Sequence, residues 1–510
     1  MNVIAGRSKI ATTYGIVAAS QPLAARAGVQ VLEHGGNAVD AAIATNAVMA
    51  LVEPYFDGIG GDLFVMYYEA KTGKLHGLNA GGWAPSGLSA ALLKAKGMER
   101  MPQKGIYSVT VPGAVAGWDT MRAKFGKLPM SDLMAPAIYY AENGFPVSEV
   151  IADAWGRATD GLAAEPYAAK AFLVNGRAPK AGEVFRNPDL GGSFRLIAEK
   201  GRAGFYEGRT AEAILAISRE KGGTMTAADL REYIYTVTVP GAVAGWDALR
   251  SKFGKLPMSD LMAPAIFYAE NGFPVSEVIA DAWARAKDGL AAEPYPAKAA
   301  CNVEPSVFDG LTNSPGGDTI YLSVIDRDGN IVSLIQSLYG SFGSGLVAPG
   351  TGIMLHNRGG LFTLDEKHPN ALAPRKRPLH TIIPAFMQKG DVRIGFGIMG
   401  GFNQAQAHAQ FVADIADFGL DIQQALEAGR FTKGSFAGCD VQIEALVPDK
   451  VRSELKALGH DVRVVPPRSG TFGYGQAVMS DGAGVHFGAS EPRHDGAAIP
   501  EAPPIFGRGR

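Results

Sequence analysis

Cysteine is nearly absent from this chain. Its two cysteines, Cys301 and Cys439, sit far apart among 510 residues with no Cys-x-x-Cys or Cys/His spacing, which excludes a disulfide-dense scaffold and a structural zinc site. An excess of one charge is absent too. Forty-eight basic residues stand against 50 acidic ones for a net charge of −2, and no basic block offers the electrostatic footprint that phosphate backbones require. Nucleic acid is not an expected partner. The longest apolar run, Ala41–Val52, contains Thr45 and Asn46 and falls short of the ~20 apolar residues that span a bilayer, so no membrane association is expected. Met1–Arg7 lacks a charged segment followed by an apolar one. A cytoplasmic location is expected, or a periplasmic one for a chain from which a leader has been removed.

Several chemistry-bearing motifs are missing as well. There is no Gly-x-Ser-x-Gly, His-Glu-x-x-His or Walker A sequence, and the nine histidines are scattered singly. Serine elbows, zincin sites and P-loops are therefore unsupported, no carboxylate pair stands out for glycoside chemistry, and no metal or cofactor is expected. What is present suits a folded interior: 47% hydrophobic and 19% charged residues, with 65 glycines and 31 prolines marking many turns. Length alone allows one to four domains.

Residues 106–171 recur at 234–299, offset by 128, with 58 of 66 positions identical. Both copies read VTVPGAVAGWD, KFGKLPMSDLMAPAI and YAENGFPVSEVIADAW. The intervening 172–233 does not repeat, so the pattern is one segment inserted twice and not a stacked array. A recent duplication or a gene-assembly error is the plain reading; two equivalent partner-docking helical units are the functional one. Within the first copy, Leu133, Ala137, Ile138 and Ala141 recur at helical spacing after Ser131, a predicted N-cap, and read as a core-facing stripe.

Elsewhere the pattern predicts two alanine-rich helices between Pro22 and Leu51, broken at His34-Gly35-Gly36-Asn37, and a strand over 63–68 after a glycine-rich turn. Residues 319–325 and 331–336 predict an antiparallel hairpin around Asp326-Arg327-Asp328-Gly329-Asn330. A strand over 392–396, a tight turn over 397–401 and a helix over 404–418 follow. Gly395–Gly400 spells Gly-x-Gly-x-x-Gly, but no acidic residue closes a second strand after it, so a dinucleotide site is weakly supported. Gly316-Gly317-Asp318-Thr319 opens the hairpin. A threonine hydroxyl is a poor nucleophile until a base takes its proton, and a threonine freed at a chain start carries such a base in its own α-amine, with a pKa near 7.7–8. By spacing alone Thr319 is simply a residue at a strand start.

Longer matches change that weighting. The segments GIVAASQPLAARAGVQVLEHGGNAVDAAIA from Gly15, EPYFDGIGGDLF from Glu53, VPGAVAGWD from Val111 and DTIYLSVIDRDGNIVSLIQS from Asp318 are followed by FGSGLVAPGTGIMLHN from Phe342, KRPLHTIIP from Lys376, GIMGG from Gly397 and FGASEPR from Phe487. In this order they resemble the γ-glutamyltransferase family of N-terminal-nucleophile hydrolases along nearly the whole chain outside the second repeat copy. The resemblance implies a four-layer αββα sandwich of mixed α and β structure. It also implies a proenzyme that cleaves itself between Asp318 and Thr319 into portions 1–318 and 319–510, both building one αββα unit. Thr319 would be nucleophile and, through its new amine, general base. Ser337 matches the supporting hydroxyl, and Gly400 and Gly401 match the pair whose N–H groups form the oxyanion hole.

The acyl pocket departs from the family pattern. Gly81 stands where the family has its carboxylate-binding arginine, and Leu361 stands where it has the ammonium-binding aspartate. The serine pair becomes His380-Thr381, and an asparagine becomes Tyr339. The expected pocket residues are thus Tyr339, His380, Thr381, Arg358, Asn357, Gly81 and Leu361. These changes resemble the acylase-like and oxamate-amidohydrolase-like branches and imply an amidohydrolase acting on a small amide or N-acyl substrate, including acyl groups that carry a carboxylate. The segment 363–375 is shorter than the lid loop of the best-known bacterial members of the family, implying a more open mouth. A two-chain protomer is implied after cleavage, with a dimer of protomers as a further expectation. Two other readings stay open: a γ-glutamyl hydrolase or transferase using glutathione, with Arg358 and His380 as substitute anchors, and an inactive member whose duplication blocks maturation.

Overall fold

Two antiparallel sheets face one another, and each carries helices on its outer side. The structure, a computed structural model, describes residues 6–234, 236–238, 318–434 and 439–503. The second repeat copy, apart from Ile234 and the strand Thr236–Thr238, lies outside them, as does Cys301. The seven-stranded sheet runs Ala497–Pro500, Ile16–Ala19, Asp318–Ile325, Ile331–Tyr339, Asp62–Glu69, Lys74–Ala80 and Thr236–Thr238. The five-stranded sheet runs Ile10–Thr12, His486–Ser490, Gly475–Ser480, Val392–Ile398 and Ala385–Lys389.

Strand alternation sorts the side chains between the layers. Ile16, Ala18, Ile325, Ile331 and Val478 fill the space between the sheets, while Val17, Ala19, Leu322, Val324 and Leu334 face the helices. On the helical side lie Pro22–Glu33 and Ala38–Val52. The expected break between them is present, and the restart has a local cause: Asn37 and Asp40 form a reciprocal capping box. Every residue of Ala38–Val52 is buried, which explains a helix apolar on all faces with small side chains that let its neighbours close in. Asn403–Ala416 and Ile422–Glu427 cover the five-stranded sheet. This is the αββα arrangement the resemblance implied.

The hairpin forms where expected, with Ser323 opposite Ser333 and Ile325 opposite Ile331. Asp326 accepts the N–H groups of Asp328 and Asn330 at 3.0 Å through one oxygen and that of Ala38 at 2.9 Å through the other. One turn residue therefore fixes the hairpin and caps a core helix.

Two local expectations need correction. Ser131 is not an N-cap, because the helix Met130–Asn143 starts after Pro129, whose fixed φ of −70° leads into it. The turn expected over 397–401 is shorter, since Gly397 and Ile398 remain in the strand, paired with Gln476 and Gly475. Leu133, Ala137 and Ala141 are buried in the main core, so the first repeat copy is part of the fold's interior. No helix among the described residues is long and apolar enough to cross a membrane.

Candidate active site

Thr319 lies at an irregularity in the hairpin. Asp318 pairs with Tyr339 and Ile320 with Gln336, so one residue, Thr319, stands opposite two, Ser337 and Leu338. Such a bulge kinks the ladder and re-aims the local side chains. The Thr319 hydroxyl, 2% exposed, donates to Ser337 Oγ at 3.1 Å, and Ser337 Oγ also accepts the Tyr339 N–H at 2.7 Å. Tyr339 has φ 75°, a left-handed conformation that costs a non-glycine residue about 1–3 kcal/mol and persists only where its surroundings hold it.

Two residues beyond Thr319, Tyr321 packs on Gly397 of the facing sheet, where a Cβ would collide with the ring. That strand leads into Met399, held by its N–H to Tyr474 O at 2.9 Å, and then into Gly400 (φ 128°) and Gly401 (φ 58°). The positive φ of both requires glycine. Among the described residues neither glycine N–H has a hydrogen-bond acceptor, so two backbone donors remain available at the turn beside the hairpin.

The expected pocket residues separate into two groups. Tyr339, Arg358, His380 and Thr381 come together around an acid that the sequence reading missed, Asp62. Arg358, fully buried, donates from Nε to Asp62 Oδ2 at 2.6 Å, from Nη2 to Asp62 Oδ1 at 3.3 Å and from Nη1 to Thr381 Oγ1 at 2.9 Å. Its guanidinium also stacks over the Tyr339 ring, 4.7 Å from the centroid. His380 Nδ1 lies 3.8 Å from Asp62, and His356 Nδ1 lies 3.6 Å from it. His356 Nε2 is held by Thr110 Oγ1 at 2.9 Å. Asp62 opens its strand directly opposite Ser337, and that cross-strand register, invisible in a linear reading, places it there.

The remaining pocket residues act as frame. Asn357 accepts the Gly340 N–H at 2.8 Å and donates to Gln103 O at 2.7 Å, so its amide is consumed by backbone. Leu361 is buried in the short helix Arg358–Leu361. Gly81 leaves the space that the His380 ring occupies, since a Cβ there would strike Nε2, and its carbonyl accepts Arg377 Nε at 2.9 Å.

Burial treats the acids of residues 53–62 differently. Asp62 loses hydration, which would raise its carboxyl, but the Arg358 guanidinium together with His356 and His380 holds it well below the usual range. Burial pushes Glu53 up to about 8, against the opposing Ser20 hydroxyl bonded at 2.7 Å, and it pushes Asp57 upward as well. Asp62 is therefore ionised at neutral pH, whereas Glu53 is largely protonated. Burial also lowers His380 to about 3, outweighing Asp62, and lowers His408, which accepts the Ile398 N–H at 2.8 Å, to about 4. Among the described residues no cluster of His, Cys, Asp or Glu could hold a metal ion.

The depressed histidines carry a pH signature. A histidine protonated only below about 4 when folded, but near 6.5 when unfolded, contributes stability that is full above pH 6.5 and is lost as pH falls toward 4. Glu53 and Asp57 act in the opposite sense, so the informative quantity is a difference. The stability gap between the wild type and His408→Gln should narrow by about 1.4 kcal/mol per pH unit between pH 6.5 and 4.5. Urea unfolding across that range measures it, and a constant gap would contradict the neutral assignment.

Comparison with known proteins agrees with this fold. The gamma-glutamyltranspeptidase family model matches residues 24–237, 234–309 and 295–501. The glutathione hydrolase-like YwrD proenzyme of Bacillus subtilis is 35% identical, over 96% of this chain and 98% of its own. The oxamate amidohydrolase proenzyme of Klebsiella pneumoniae is 32% identical, over 96% of this chain and 98% of its own. The crystal structure of cephalosporin acylase from Bacillus halodurans superposes with a TM-score of 0.79 at 37% identity, covering 98% of both chains. On these matches the chain belongs to the gamma-glutamyltranspeptidase family and is an enzyme of its amidohydrolase and transferase type.

Proposed function

We propose that the protein is a self-cleaving N-terminal-threonine amide hydrolase that acts on a small amide or N-acyl substrate other than a γ-glutamyl compound. The observation that carries this reading is the buried Thr319 hydroxyl at the bulge, bonded to Ser337, on a hairpin against which packs the strand ending in the free amides of Gly400 and Gly401. Relatives named as proenzymes add support. In maturation, the Thr319 hydroxyl attacks the Asp318 carbonyl carbon, the C–N bond breaks, and the acyl group passes to oxygen. Water then hydrolyses the ester, leaving a 1–318 portion and a 319–510 portion with a free α-amine at Thr319. In turnover that amine takes the hydroxyl proton, the hydroxyl attacks the substrate carbonyl, and the leaving amine departs with a proton. Water then releases the acid. The glycine amides stabilise the oxyanion in both reactions.

Trapping tests the reading directly. A p-nitrophenyl acyl ester should add its acyl mass to the 319–510 portion and nothing to the 1–318 portion. No adduct on either would sink it. Gly400→Ala strains a φ of 128° and displaces one donor, so the acylation rate should fall about 10²–10³-fold, the loss typical of one oxyanion donor, while substrate KM moves far less.

Glutathione should be a poor donor. Its α-carboxylate and α-ammonium need charged partners, yet the Gly81 position is filled by a neutral imidazole and Leu361 is buried hydrocarbon. Each lost charge-assisted contact is worth about 1.5–3 kcal/mol. Glutamate release should run at least about 100-fold below turnover of a simple amide, and parity between the two would restore the γ-glutamyl reading.

A further inference from the structure

Among the described residues Arg358 is the one guanidinium bonded to Asp62, and its surroundings leave it little charge to offer. Asp62 grips it through two hydrogen bonds, Thr381 takes a third, and Tyr339 covers its face. Arg358 and Asp62 are fully buried, while His380 and Tyr339 retain 9% and 4% exposure. The ion pair thus forms an underlayer, and the groups above it are an aromatic ring, an imidazole and the Thr381 hydroxyl. His380 is the unsatisfied member: neither ring nitrogen has a hydrogen-bond partner among the described residues, although the ring packs 4.7 Å from Phe64. A buried polar group without a partner costs stability unless a ligand completes it. The other cation nearby, Arg377, donates to the carbonyls of Gly81 and Ile234 and lies at the rim, half-buried.

We propose that Asp62 is the residue that sets acyl-group specificity: by neutralising Arg358 from beneath, it makes the pocket select uncharged, hydrogen-bonding acyl groups that His380 and Thr381 can read, and it disfavours acyl groups bearing a carboxylate. The inference rests on Thr319 being the acyl acceptor and deepens that reading by naming the substrate class. The physical argument is one of balance. A carboxylate entering this layer must give up water and meets a cation already paired at 2.6 Å, whereas a carboxamide of equal size loses less hydration and supplies both a donor and an acceptor. Removing the negative charge while keeping the shape should reverse that order, because the guanidinium would then lack a counter-ion.

The test compares two p-nitrophenyl esters matched in shape, succinyl and succinamoyl, by acylation burst on the matured enzyme. The wild type should favour the succinamoyl ester. Asp62→Asn should raise the succinyl-to-succinamoyl ratio of kcat/KM at least tenfold, and Asp62→Asn with Arg358→Gln should return it to the wild-type value. A ratio unchanged within twofold in Asp62→Asn, with bursts from both esters, overturns the inference and leaves the hydrolase reading standing. Absence of any burst in a cleaved wild type overturns the hydrolase reading itself. Should Asp62→Asn fail to fold, the wild-type ratio decides: parity or a succinyl preference overturns the inference, and a succinamoyl preference supports it.

Discussion

Thr319→Ala should leave a single chain of 510 residues after prolonged incubation and lower amide hydrolysis by at least about 10⁴-fold, the scale seen when a covalent nucleophile is removed. Alanine deletes the hydroxyl that must attack Asp318 and the acyl acceptor in turnover, so both effects arise from one atom. Thr319→Ser keeps that atom and loses a methyl, and it should cleave, more slowly. Intact-mass spectrometry of the wild type and both variants, read beside activity, distinguishes the outcomes. An active, uncut Thr319→Ala protein would remove Thr319 from the mechanism altogether. An uncut wild type would mean that the duplicated segment has stopped maturation, leaving a family member without its chemistry. Ser337→Ala should fall between these extremes, because it removes the acceptor of the Thr319 hydroxyl and leaves the buried Tyr339 N–H unsatisfied. Cleavage slowed about 10–100-fold is expected, consistent with a loss of about 1.5–3 kcal/mol.

The parts of this site legible in the linear sequence were those fixed by local chemistry. The hairpin announced itself through Asp326 and Gly329, because a turn and its two strands are contiguous in the chain. The Ala38–Val52 helix was legible through its composition, although its boundary depends on Asn37 and Asp40 bonding each other. Asp62 was not legible. It reads as one acid in a glycine-rich stretch until the register sets it opposite Ser337, 275 residues later in the chain, where Arg358 can reach it. The one available signal was an acid at the start of an apolar strand, a position that demands a buried partner.

The repeat teaches the same lesson from the opposite side. Thr110 and its counterpart Thr238 share the sequence Val-Thr-Val, yet Thr110 sits buried against His356 while Thr238 lies in the strand Thr236–Thr238 at the edge of the seven-stranded sheet. Identical local propensity yields two structures because tertiary partners decide.

Arg493→Met should be the most destabilising substitution away from the Thr319 site. Arg493 donates to Glu444 at 2.9 and 2.5 Å, to Glu491 at 2.7 Å and to the carbonyls of Leu426 and Ala428, and its side chain has no exposure. Arg430 completes the ring through Glu491 at 2.6 Å. Two cations and two carboxylates thus balance in a dry interior. Deleting one cation strands a carboxylate without water, which costs about 3–5 kcal/mol. The exposed pair Lys94–Glu366, with side chains 48% and 67% exposed, sets the contrast, since Lys94→Ala should cost no more than about 0.5 kcal/mol. Urea unfolding of the two variants side by side measures the difference, and equal midpoints would show that the ring contributes nothing. The ring also reaches the glycine turn. Arg430 donates to the carbonyls of Phe472 and Gly473 at 3.3 and 3.1 Å, and the next residue, Tyr474, holds the Met399 N–H immediately before Gly400. Arg430→Met should therefore slow maturation at temperatures where the protein is still folded, because the strut beneath the two free amides is gone while Thr319 and Ser337 are untouched.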